Sequence, residues 1–390
     1  MISIDSVLVK TAILLLLAAA GRVQATVRTV QELRDAVAKA APGTTISVAA
    51  GDYEGGLYFA KVRGEKGKPV VIAGADPKKP PVFKGGGDGI HLSDIEHLEL
   101  RDLVIEGATG NGLNIDDGGS YETPSHHLVL RGLTIRNIGG KGNQDGIKLS
   151  GIDDFRVENC KVEKWGGSGS AIDMVGCHRG VVEGCAFVHD GSGGNGVQTK
   201  GGCAEIAIRK SRFENAGSRS VNIGGSTGLE YFRPALKEPP HAEARDIRVE
   251  GCTFIGSDAP IAFVGVDGAL VQYNTIYLPK RWAIRILQET TAKGFVACRK
   301  GTFTHNLVVF KSDQWSEGGV NVGPNTEPGT FAFEDNHWYC VDAPNRSAPK
   351  LPSVEKNGHT GDPMFRDAEK LDLRLKEGSP AAKHGAEALK

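Results

Sequence analysis

Gly146-Ile147-Lys148-Leu149, Ala171-Ile172-Asp173-Met174, Gly196-Val197-Gln198-Thr199 and Ser220-Val221-Asn222-Ile223 are four versions of one pattern. A small residue precedes an apolar one, then a polar one, then an apolar residue or Thr. Earlier copies stand at Gly89-Ile90-His91-Leu92 and Gly112-Leu113-Asn114-Ile115, and later ones begin their apolar pair at Ile261, Ile284 and Val320. The intervals between first apolar residues are 23, 34, 25, 25, 24, 40, 23 and 36. A base period near 24 with insertions is the mark of a repeat array, in which each repeat buries its apolar face against the next. The glycine content, 53 of 390 residues, supplies the many turns such an array needs.

Two further columns share this register. One reads Leu100, Leu130, Val157, Val182, Ile208, Val249, Val271, Phe303, Phe333; five residues on comes Ile105, Ile135, Val162, Phe187, Phe213, Phe254, Ile276, Val308, Trp338. Between them a turn position reads Leu103, Leu133, Cys160, Cys185, Ser211, Cys252, Asn274, Asn306, Asn336. This resembles the stacked small-residue and asparagine ladder of right-handed parallel β-helices, where like residues repeat every ~4.8 Å. The expected fold is therefore all-β, a single-stranded right-handed parallel β-helix of about ten coils with three short strands per coil. Cys160, Cys185 and Cys252 are expected to be small buried fillers. The seven cysteines lack spacings such as C-x2-C that would suggest a metal site, and an odd number makes a poor disulfide framework.

A solenoid must protect its ends. Thr29-Val30-Gln31-Glu32 is a capping box that opens a helix over 29–40, with Val30, Leu33 and Val37 along one face, expected to lid the stack. Pro42-Gly43-Thr44-Thr45-Ile46 and Gly51-Asp52-Tyr53 look like the first strand and turn of extracellular β-helix polysaccharide enzymes. Gly361-Asp362-Pro363-Met364-Phe365, Leu373-Arg374-Leu375 and Gly378-Ser379-Pro380-Ala381 are similar to the closing segment of that class, here about 340–390. Residues 1–25 read as a secretory signal: Lys10, the apolar run Thr11 to Ala20, then Val23-Gln24-Ala25. The expected product is one β-helix domain, 26–390, secreted or periplasmic, monomeric and free of the membrane once the signal is removed. Loss of Lys10, Arg22 and Asp5 takes the formal charge from −1 to −2, a balance that excludes a uniformly basic nucleic-acid surface.

Alternation places His91, Asn114, Lys148, Asp173, Gln198, Asn222, Ala262, Arg285 and Asn321 on the outer face of the first strands. Two residues on, the outward column includes Ser93, Asp116, Ser150, Val175, Lys200 and Gly224. Outward polar residues are ordinary on a solvated sheet, but the unbroken run from Lys148 to Asn222 suggests a substrate trough. Insertions at 116–127, 225–244 and 288–298 follow first strands and would wall it. Trp165, Trp282, Trp315 and Tyr231-Phe232 lie in its borders, where aromatic planes could stack on pyranose rings or simply pack the loops.

Gly196-Val197-Gln198-Thr199-Lys200, followed by Gly217-Ser218-Arg219-Ser220-Val221-Asn222, looks like the region of alginate and chondroitin-type β-helix lyases that bears a Lys and then an Arg. That resemblance implies β-elimination of a uronate-containing acidic polysaccharide, with Lys200 as base and Arg219 or a calcium ion neutralising the carboxylate. Lys148 would join the catalytic set. Asp173, Gln198, Asn222, Asp145, Arg285, Asn114, Trp165, Trp282 and Tyr231 would bind substrate, and Asp173 is the one candidate calcium ligand. Lys200 matches by position, whereas the outward slot on the next coil is Gly224. Two alternatives compete: an inverting hydrolase using Asp145 and Asp173 as acid and base, and a glycan-binding or purely structural β-helix without catalysis.

Overall fold

The structure, a computed structural model, describes residues 26–120, 122–140 and 142–389; the expected signal, 1–25, lies outside the described residues. A typical coil contributes one strand to each of three parallel sheets, and one coil gives one of those sheets two short strands, Ile152–Asp153 and Arg156–Glu158. Sheet 1 holds the first strands of the repeat, from Leu57–Ala60 and Ile90–Ser93 through Ile147–Ser150, Ser170–Val175, Asn195–Lys200 and Arg219–Gly224 to Val320–Val322. Sheet 2 runs from Thr45–Val48 to Ala332–Glu334, and sheet 3 from Asp52–Glu54 to His359–Thr360. Sheet 1 has ten strands and the other two have twelve each, giving roughly eleven coils of parallel β-helix. The rung added at the start is the complete coil Thr45–Val48, Asp52–Glu54 and Leu57–Ala60, of which the sequence indicated only the opening strand and turn.

The register agrees with the periodicity residue by residue. Lys148 pairs with Asn114 on one side and Asp173 on the other, and Asp173 pairs in turn with Gln198. Leu100, Leu130 and Val157 align in sheet 2, and Ile105, Ile135 and Val162 in sheet 3; all six are buried. Alternation thus sends one apolar residue per strand inward from three directions. The result is one continuous core, with Phe187, Phe213 and Phe254 stacked along it at 4.7 Å centroid spacing.

Turns between sheets 2 and 3 use one left-handed residue per coil: Asp102, Gly132, Asn159, Gly184 and Lys210 follow each other with φ between 49° and 65°. Glycine accepts this conformation without a Cβ penalty, and Asn and Asp tolerate it better than most. Inside the same turns Asn274, Asn306 and Asn336 are fully buried. Asn306 Oδ1 accepts from Asn274 N and Nδ2, both at 2.9 Å, while its own Nδ2 donates to Val271 O at 3.0 Å. Cys160, Cys185 and Cys252 fill equivalent positions as buried free thiols.

Helix α1, Val30–Ala38, closes the N-terminal end. Thr29 Oγ1 accepts from Glu32 N at 3.1 Å, and Glu32 accepts from Arg28 N at 2.6 Å. Leu33, Ala36 and Val37 join the core, with Val30 at its margin. The C-terminal segment does more than close the stack. The hairpin Phe365–Asp367/Asp372–Leu375 turns back along the molecule, and Ala381 packs on Leu307 and Val309 on the outer face of sheet 3. Among the described residues no helix is long and apolar enough to cross a membrane.

Candidate active site

The middle of the outward column of sheet 1 is not solvated. Asp173, Gln198 and Asn222 are 3%, 7% and 0% exposed, although their side chains point away from the core. The 225–244 insertion covers Gln198 and Asn222, and the Lys148 and Lys200 side chains flank Asp173. Gly225 lies directly above, and a Cβ added there would sit 2.3 Å from Gln198 Nε2, so the backbone approaches as closely as only glycine allows. Glu243, fully buried, holds the insertion down by accepting from Gly201 N at 2.8 Å, Thr227 N at 3.0 Å, Thr227 Oγ1 at 2.9 Å and Thr290 Oγ1. Arg233 ties the same insertion to the 116–127 insertion through a two-pronged bond to Asp117, at 2.5 and 2.9 Å. Neither Glu243 nor the Asp117–Arg233 pair was singled out from the sequence. The pair is 116 residues apart in the chain and leaves no local spacing to read.

Between these walls a cleft of about 600 Å³ opens on the second outward column, lined by Asp116, Lys148, Ser150, Lys200, Tyr231 and Arg233 among others. Tyr231 is about half exposed and presents its ring to it. A larger concavity of about 810 Å³ lies between α1 and the first rung, but it contains none of the buried ion pairs described here.

Three charges sit at the cleft floor. Lys148 reaches forward one rung and donates to Asp173 Oδ2; Lys200 reaches back one rung, its Nζ 3.3 Å from Asp173 Oδ1 but outside hydrogen-bond geometry. Lys148 Nζ also lies 3.7 Å from Asp145 Oδ2, while Asp145 Oδ1 accepts from Ser170 N at 2.7 Å. Burial, then the negative charge of Asp173, pushes the Asp145 carboxyl up to about 7. Burial disfavours the charged form of Lys148, but Asp173 and Asp145 outweigh that and hold it above the usual lysine range. Lys148 is thus a fixed cation, whereas the more loosely held Lys200 can turn toward the cleft.

Arg219 belongs to a different cluster. It starts its strand, and a bulge after Gln198 sets Gly224 opposite Thr199, so Lys200 has no direct partner on the next rung. Its guanidinium donates to Asn222 Oδ1 at 3.1 Å and Glu289 Oε1 at 2.9 Å. Arg285 stands nearby, bound to Asn321 Oδ1 at 2.9 Å; burial, then the Arg219 charge, holds its pKa below the usual arginine range. The expected triad of Lys200, Arg219 and Lys148 is therefore divided. The lysines share Asp173, whereas Arg219 joins Arg285, which stands in the same outward column as Lys148 but five rungs further along the stack.

Two expected stacking residues are displaced. Trp165 is buried in the core, its ring 4.5 Å from that of His189, because the turn carrying it folds inward. Trp282 is covered by the guanidiniums of Arg281 and Arg285, at 4.1 and 4.8 Å from its ring. Trp315 stacks on Phe310 at 3.7 Å, and Phe232 is buried beside Phe295. Asn114 faces outward two rungs before Asp173 and donates to Asp88 at 2.9 Å. The residues around Asp173 do not suit calcium, which needs six or more oxygen ligands: its carboxylate faces two ammonium groups, and its neighbour Gln198 is neutral and engaged by Asn195 at 3.0 Å.

Residues 82–231 match the model of the family described as right handed beta helix region. A comparison with curated proteins finds no match. Among solved structures, an alginate lyase from Paenibacillus sp. str. FPU-7 is 17% identical, with a TM-score of 0.53 over 78% of this chain and 99% of that one. The pectate lyase Pel9A is 14% identical, with a TM-score of 0.53 over 89% of this chain and 84% of that one. At these identities the similarity lies in the backbone, and the architecture is that of the right-handed parallel β-helix.

Proposed function

We propose that this protein is an exported polysaccharide lyase that cleaves a uronate-containing acidic polymer by β-elimination. The observation that carries the reading is the Lys148–Asp173–Lys200 cluster at the floor of a cleft walled by two insertions. Lys148 keeps a cation at this cleft on a chain whose total charge is near zero, which gives a polyanion a point of attachment. The architecture shared with an alginate lyase and a pectate lyase agrees with this chemistry.

Removing the proton alpha to a carboxylate builds negative charge on that carboxylate, so the site must supply a cation there and a base alongside. Lys148, kept protonated by Asp173 and Asp145, fits the first role. Lys200 fits the second. Its amine takes the C5 proton of the uronate; the electron pair forms the C4–C5 double bond, the C4–O bond breaks, and the leaving oxygen takes a proton from water. Tyr231 offers a ring to the sugar, and Arg219 with Arg285 provides a second anion site for a neighbouring uronate along the same face. Calcium has no step in this scheme.

The test is to incubate the purified protein with alginate, pectate and glycosaminoglycans, with and without chelator, following ultraviolet absorbance of unsaturated product and new reducing ends. The two signals should rise together and be insensitive to chelator. Reducing ends without absorbance would replace elimination by hydrolysis. Hydrolysis through Asp145 and Asp173 is disfavoured by geometry: the Lys148 ammonium lies between the two carboxylates, where an inverting enzyme needs room for a water and roughly 6.5–9.5 Å of separation.

A further inference from the structure

Away from the cleft, on the outer face of sheet 2, three imidazoles converge. His97 belongs to the strand Glu96–Arg101, and His126 and His127 to the next rung's strand, Ser125–Arg131. One ring nitrogen from each lies within 4.8 Å of the others. The Nδ1 atoms of His126 and His127 are 2.9 Å apart, the rings of His97 and His127 stack at 4.1 Å, and His97 meets His126 edge-on at 5.5 Å. Adjacent residues on a strand normally face opposite ways. Here His127 is left-handed, with φ 56°, as is His97 with φ 47°, and the reversal of the pleat turns His126 and His127 outward together.

The same left-handed column continues as Asp154, Arg179, Glu205 and Asp246, charged residues suited to water and ion pairs. Histidines occupy it at two successive rungs, with a third imidazole beside them. We propose that His97, His126 and His127 form a site for a divalent transition-metal ion, best matched by zinc, that clasps two successive coils. Three imidazoles suit zinc, copper or nickel, whereas calcium and magnesium require oxygen ligands. Zinc–nitrogen bonds of ~2.0–2.1 Å place tetrahedral ligands about 3.3 Å apart, which small side-chain rotations reach from the observed spacing. His127 is exposed, leaving the fourth position to water.

The carboxylates nearest the cluster, Glu96 and Asp154, have partners of their own. Glu96 is engaged by Arg63 at 3.3 Å and Asp154 by Arg179 at 2.8 Å, which leaves the imidazoles as the ligand set.

The test uses the full chain without a histidine tag. Cobalt should give the visible absorption of a bound four-coordinate ion at one equivalent, zinc should displace it, and zinc should raise the melting temperature. His126→Gln, His97→Asn and His127→Asn should each weaken zinc binding at least tenfold; Asn is chosen because it tolerates the left-handed backbone, and circular dichroism checks that each variant folds. His359→Gln, in a separate histidine cluster near the C-terminus, should leave binding unchanged. Absence of one-equivalent binding, or binding that survives all three substitutions, or binding abolished by His359→Gln, overturns the assignment.

Discussion

Asp145 makes the candidate site sensitive to pH. Its folded pKa, about 7, lies above the ordinary aspartate value of 3.8, so between roughly pH 4 and pH 7 the folded chain keeps a proton that the unfolded chain has released. The stability this confers is fully present below pH 4 and lost as pH rises through 7. Asp145→Asn should therefore gain on the wild type by on the order of 1–3 kcal/mol between pH 4 and pH 8, measured by urea unfolding at each pH; a constant difference would mean Asp145 titrates normally. The two lysines should separate in the same way. Lys200→Met should lower turnover at least ~100-fold with little change in melting temperature, because Lys148 still neutralises Asp173. Lys148→Met should cost about 3 kcal/mol or more, since it removes the hydrogen-bonded partner of a buried charge. Lys148, Asp173 and Lys200 were legible as neighbours on one outward face because alternation alone fixes which way a strand residue points. That Lys200 also reaches Asp173 was not, because those side chains lie on different rungs and meet across 27 residues of chain.

At the scale of the element, the ladders carry the stability. Asn306 Oδ1 accepts from the buried Asn274 N and its Nδ2 donates to Val271 O, so Asn306→Ala takes the partner from Asn274 N and one donor from Val271 O. At about 1–3 kcal/mol for a buried group that loses a partner, the variant should lose roughly 2–4 kcal/mol in equilibrium unfolding; a loss below ~1 kcal/mol would show that the ladder is ornamental. Strands, core columns and this ladder could be read from the sequence because a solenoid repeats one local environment, and a repeated environment selects similar residues. The turns that carry Trp165 and Trp282 do not repeat. Each ring follows the apolar space beside it, inward for Trp165 and beneath two arginines for Trp282, so neither was available to line the trough.

Across the whole molecule, the cleft exists because insertions from distant rungs fold over one face and lock there. Glu243 and the Asp117–Arg233 pair are the locks. Glu243→Ala should release the 225–243 segment, seen as faster limited proteolysis within it and a raised KM, while the coil stack keeps its circular dichroism; an unchanged cleavage pattern would mean the insertion is held by packing alone. Sequence periodicity by itself determined the parallel β-helix, its register and the face on which polar residues gather, since these follow from strand alternation and a period of about 24. The tertiary structure decided the rest: that the middle of this outward column is buried, that Lys148 and Lys200 share Asp173 while Arg219 joins Arg285, and that three histidines meet on sheet 2. Those outcomes depend on where irregular insertions settle and how long side chains reach between rungs. Both are set by contacts among residues far apart in the chain, and no local pattern encodes them.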